Sequence, residues 1–191
     1  MNIINSVKSS KTNTYSNLSR DNFVLGKDEI LLPKFTRIFG NLYSVNFYYF
    51  NSKRPELIIE NSSINIYLPM EFKNKNNQKL INSILYKMYE KITETEIENI
   101  FEKARHDFGF APEDYDIRKI PGHIAKCDKN SQTITINPYI SMYSKEQIEF
   151  IVYNEFCSLK YKNHSKNFYK LLSQFKPNYE KISNSISNLK Y

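Results

Sequence analysis

The sequence predicts an α+β protein, in which a small antiparallel β-sheet packs against helices and one helix is buried at the centre. Three observations carry this. Leu42 to Leu68 contains three aromatic and β-branched runs broken by turn residues. Leu80 to Phe108 repeats apolar residues at helical spacing. Thr133 to Asn137 alternates apolar and polar residues strictly, and shortly afterwards Ser144 and Gln147 open a further apolar helix.

At 191 residues the chain fits one domain with an appendage. Residues 1–22 are rich in Ser, Asn, Thr and Lys and lack a periodic apolar pattern, which predicts a flexible N-terminal arm. Residues 23–191 are expected to form the domain. Phe23 to Leu32 and Phe35 to Phe39 are apolar enough to pack on its body. Leu42–Phe50, Glu56–Glu60 and Ile64–Leu68 read as strands, with Asn61-Ser62-Ser63 as a turn and Pro69 as the end of the third. Their short connections favour an antiparallel meander.

Leu80, Ile81, Ile84, Leu85, Met88 and Ile92 mark a helix. Thr93 and Glu96 have the spacing of a capping box, so a second helix is expected with Ile97, Ile100, Phe101, Ala104 and Phe108 inward and Gly109 as its stop. His106 falls near its end and reads as a surface residue. Asp116–Ile120 and His123–Cys127 read as strands around Pro121-Gly122. The helix that follows Ser144 is expected to run to Asn163, and a further one holds Phe168, Leu171, Leu172 and Phe175 before Pro177. Ile182, Ile186 and Leu189 keep helical spacing to the end.

No apolar run approaches the roughly 20 residues of a membrane span, and Met1 to Asn22 contain no secretory apolar core. A cytoplasmic protein with no membrane partner is the expectation. Cys127 and Cys157 are then reduced, packed thiols. The net charge of +7 permits contact with nucleic acid without requiring it. From Lys160 to Lys190 seven lysines face only Glu180, either as a solvated face or as an anion-attracting one.

The chemistry is concentrated between Tyr153 and His164. Asn154, Glu155 and Ser158 form one polar stripe on an otherwise apolar helix, and buried polar groups are costly unless satisfied. Two histidines at i and i+4, a glutamate beside the first and a third ligand past the helix would hold a catalytic zinc. The run from Ile151 to Tyr169, with Glu155 and Asn163-His164-Ser165-Lys166, resembles the active-site segment of the YgjP-like, SprT-related metallopeptidases. Looser similarity extends from about residue 42 to 180, including Ile117-Arg118-Lys119-Ile120, Cys127 and Thr133 to Asn137.

The resemblance implies a zincin-like fold and a zinc-dependent hydrolase ancestry. Glu155 then stands at the general base, and Asn154, Ser158 and His164 stand at the three former metal-ligand positions. Asn154 and Ser158 replace the two helical histidines, and amide or hydroxyl oxygens are poor zinc ligands beside imidazole. His123-Ile124-Ala125-Lys126-Cys127 keeps only the cysteine of the strand that precedes the family's catalytic helix. No cofactor is therefore expected, and the leading reading is a metal-free pseudoenzyme that acts by binding a partner the sequence does not reveal, with a protein or peptide as one candidate.

Three alternatives stay open. An active hydrolase with a rearranged site would draw ligands from Cys127, Cys157 and His123, besides Glu155 and His164. A nucleic-acid-binding module would use the basic C-terminal helices. A Cys157–His164 nucleophilic pair is the weakest, because nothing in the sequence activates the thiol.

Overall fold

A computed structural model describes residues 33–161 and 165–187. The expected N-terminal arm, the run Phe23–Leu32, and Asn163, His164 and Leu189 lie outside the described residues. The chain packs as two compact units. One contains Asn41–Ile84 with described residues 33–37 and 184–187, and the other contains Leu85–Ser183 with Ile38–Gly40.

The first unit is built on a four-stranded sheet of β1 (Phe35–Ile38), β2 (Asn41–Phe50), β3 (Glu56–Glu60) and β4 (Ser63–Pro69), in the order β1-β2-β4-β3. Asn61 and Ser62 both take positive φ, 47° and 59°, which gives the two-residue hairpin turn whose twist suits β3 and β4. β3 and β4 pair antiparallel as expected, but β2 and β4 pair parallel, so the three strands are not a meander. Residues 51–55 carry the chain past the place of β4 to the sheet edge, a step of about 10 Å. Local composition identifies strands but does not fix this order.

Strand alternation gives this sheet two unlike faces. Ile64, Ile66 and Leu68 of β4 are fully buried on one. On the other, Ser44 meets Ser63 at 2.9 Å, Asn46 donates to Asn65 at 3.0 Å, and Asn65 donates to Glu60 at 3.1 Å. Tyr48 stacks on Tyr67 beside them, with ring centroids 5.1 Å apart.

One helix, α1 (Gln78–Phe108), replaces the two expected. No Gly or Pro interrupts it, and Thr93 is not a cap. The Thr93 hydroxyl, buried, donates to the Pro138 carbonyl at 2.8 Å and lies 2.7 Å from Ser141 Oγ. Gly109 ends the helix at φ +70°, its N–H bonded to the Arg105 carbonyl.

The rest of the described residues form a three-stranded sheet and three α-helices. β5 (Asp114–Ile117) and β6 (Ala125–Asp128) flank β7 (Thr133–Ile136), parallel and antiparallel to it respectively. Both flanking strands are displaced by about two residues from the sequence expectation. α2 (Lys145–Lys160) has the expected capping box, with Gln147 N–H on Ser144 Oγ at 3.3 Å and Ser144 N–H on Gln147 Oε1 at 3.0 Å. It ends at Lys160 rather than Asn163, because Tyr161 is already extended. α3 (Lys166–Phe175) is capped by Ser165, and α4 (Tyr179–Ser187) follows. No helix among the described residues is long and apolar enough to cross a membrane.

Candidate functional site

Helix α2 carries the candidate site, and packing holds it in place. Ile148, Ile151, Val152, Tyr153, Phe156, Cys157 and Leu159 are all buried. Phe156 packs against Phe101 and Phe108 of α1 and against Phe110, with centroids 5.4, 5.6 and 6.3 Å away. Near its N-terminus, Lys145 pairs with Glu96 at 2.6 Å and sits 4.9 Å over the Phe39 ring. Gly40, at φ +81°, passes so close that a Cβ would lie 3.3 Å from Ser144. Any side chain there would press on the cap.

The polar stripe satisfies itself. Ser158 is 1% exposed, and its hydroxyl donates to the Asn154 carbonyl one turn back at 2.9 Å. The Asn154 amide donates to Glu155 Oε1 at 3.3 Å. Glu155 Oε2 accepts the backbone N–H of Cys127 at 2.8 Å, which ties strand β6 to helix α2. Burial pushes the Glu155 carboxyl above its usual pKa, opposed by the two hydrogen bonds and the pull of His123. Sequence reasoning places Glu155 on the stripe but misses its strand partner, 28 residues away in the chain.

Cys127, Cys157 and His123 all feel or exert charge at Glu155, but among the described residues they make no metal-holding group. His123 is exposed on the loop before β6, and its carbonyl accepts from Asn137. Cys127 and Cys157 are free thiols. Burial, reinforced by Glu155, pushes them up to about 11 and about 12. Both are protonated at neutral pH, which suits packing and not nucleophilic attack. His106 is 91% exposed at the end of α1. His164 lies outside the described residues. Among the described residues no group of three His, Cys, Asp or Glu is arranged to hold a metal ion.

A second polar cluster, beside the stripe, escaped the sequence reading. Glu149 Oε1 binds Lys103 at 2.5 Å and Lys176 at 2.9 Å, and Lys176 also lies 4.5 Å over the Tyr153 ring. The Tyr153 hydroxyl donates to Asp107 at 2.5 Å. The spacing was available, since Lys103 and Asp107, like Glu149 and Tyr153, are one helical turn apart. Lys176 is thereby taken out of the basic C-terminal surface, where Lys166, Lys170 and Lys181 stay exposed.

This cluster makes stability depend on pH. The Tyr153 hydroxyl, against the effect of burial, holds Asp107 below its usual pKa, and His106 and Lys103 add to it. Burial raises Glu149, but Lys103 and Lys176 outweigh it and hold that carboxyl low. Both folded pKa values lie below the unfolded ones, so the stabilisation is present above the unfolded pKa and lost as pH falls through the folded pKa. Urea midpoints should fall from about pH 5 to about pH 3, and Asp107→Asn should flatten that slope.

A model of the YgjP-like metallopeptidase domain matches residues 34–188. The chain belongs to the YgjP-like family. Among solved structures, this YgjP-like domain is similar to the metallopeptidase zymogen of Pyrococcus abyssi abylysin. That match has 24% identity and a TM-score of 0.44, over 47% of this chain and 90% of that one. No curated protein matches the chain.

Among the described residues, the donors that the family resemblance would put at a metal site do not fit a zinc ion. The Ser158 hydroxyl is turned onto its own helix, the Asn154 amide is turned onto Glu155, and both Glu155 oxygens already accept hydrogen bonds. Neutral amide and hydroxyl oxygens are weak zinc donors in any orientation.

Proposed function

We propose that this chain is a metal-free pseudo-metallopeptidase, a single YgjP-like domain over residues 23–191 that acts by binding a protein or peptide. The family match runs through both compact units, which favours one domain over two. One observation carries the functional reading. The resemblance aligns Asn154 and Ser158 with the helical ligands, and their side chains bond to Glu155 and to the helix backbone instead of converging on a shared point. Glu155, which the resemblance aligns with the general base, serves as a clasp on β6. A cytoplasmic location accords with the two unbridged cysteines, Cys127 and Cys157.

The test is elemental analysis of the purified native chain after dialysis, alongside cleavage of an unfolded protein with and without added zinc. The expected outcome is no stoichiometric zinc and no zinc-dependent cleavage. Cleavage that requires zinc and disappears in Glu155→Gln would replace this reading with a rearranged hydrolase.

A further inference from the structure

Strand β3 is an open edge of the four-stranded sheet. It pairs with β4 on one side, and among the described residues no backbone group bonds to its other side. Its sequence is Glu-Leu-Ile-Ile-Glu. Ile58 and Ile59 are 44% and 41% exposed, and Glu56 and Glu60 are exposed beside them. An edge strand with exposed apolar residues is a template for another strand. Alternation puts Glu56, Ile58 and Glu60 on one face, the face that carries Tyr48 and Asn65.

The carboxylates decide what can pair there. Two copies of β3 set antiparallel about Ile58 would place Glu56 opposite Glu60 twice, and like charges directly opposite destabilise a pair. A second copy is therefore a poor occupant. The chain's own residues 1–32 carry Lys8, Lys11, Arg20 and Lys27, no two of them four apart. They cannot set a base opposite both carboxylates in one regular strand. Neither Glu56 nor Glu60 has an ion-pair partner among the described residues.

We infer that the free edge of β3 adds an extended segment of a partner protein, with two basic residues four apart and an apolar residue midway between them. Backbone hydrogen bonds supply the pairing, the apolar residue covers Ile58, and the bases meet Glu56 and Glu60. This inference does not depend on whether the α2 stripe binds metal.

The probe is a labelled heptapeptide with lysine at its second and sixth positions, valine at its centre and threonine elsewhere. Its fluorescence anisotropy is followed against the full chain at low and physiological salt. Saturable binding is expected, weakened roughly tenfold by Glu56→Lys through loss and reversal of one cross-strand charge pair. The double variant Glu56→Lys, Glu60→Lys should prefer the peptide with glutamates in place of the lysines. Glu56 has no described side-chain hydrogen bond, so the single variant keeps the fold, and circular dichroism checks this.

Four results overturn the inference. They are no saturable binding, undiminished binding of a peptide N-methylated at alternate residues, binding that appears only after removal of residues 1–32, and self-association of the native chain that blocks the peptide.

Discussion

The double variant Asn154→His, Ser158→His takes up one equivalent of zinc per chain and keeps it through dialysis, while the native chain takes up none. Positions 154 and 158 are one helical turn apart on the same face of α2, so two imidazoles there can point at one ion. His164 is the third ligand that the family resemblance supplies. Ser158 is 1% exposed, so an imidazole in its place overfills the site and the metal-free variant loses about 1–3 kcal/mol. Zinc should more than restore this, since free metal a thousandfold above its Kd stabilises by about 4 kcal/mol. Thermal midpoints with zinc and with chelator read both effects, and Asn154→His alone serves as the less crowded comparison. A folded double variant that stays metal-free would show that this helix face is not the ancestral site.

Phe156→Ala lowers the thermal midpoint by on the order of 10 °C. Phe156 is fully buried, and its ring meets three others, Phe101, Phe108 and Phe110. Truncating a core phenylalanine costs about 3–5 kcal/mol, and each kcal/mol moves the midpoint by about 2–4 °C in a chain of this size. The substitution loosens the helix whose Glu155 holds the Cys127 amide, so the hydrogen exchange of that amide should quicken as well. A shift of only a degree or two would mean that the aromatic cluster does not fix α2.

The residues that announce themselves in sequence act through neighbours. Ser144 and Gln147 are three apart, and their capping box is present as read. Asn61 and Ser62 form the turn that their composition indicates, and Gly109 stops its helix. Thr93 and Glu96 have the same capping pattern as Ser144 and Gln147, yet α1 runs through them. There the tertiary partners Pro138 and Ser141 claim the hydroxyl, and no helix breaker stands nearby. The parallel pairing of β2 with β4 and the bond from Cys127 to Glu155 join residues 19 and 28 apart. Such pairings depend on the whole fold, so periodicity could place the polar stripe on a buried helix but could not say what each side chain would bind.

The strand order β1-β2-β4-β3 also constrains how the sheet is made. The β3–β4 hairpin closes over a two-residue turn, an event of microseconds, whereas β2 gains β4 as its second neighbour only by pairing residues 19 apart in the chain. A nascent chain therefore emerges with β2 synthesised before that hairpin but completed after it. Until the hairpin docks, the aromatic run Leu42–Phe50 waits with one edge unsatisfied, and this interval is when aggregation most threatens the chain.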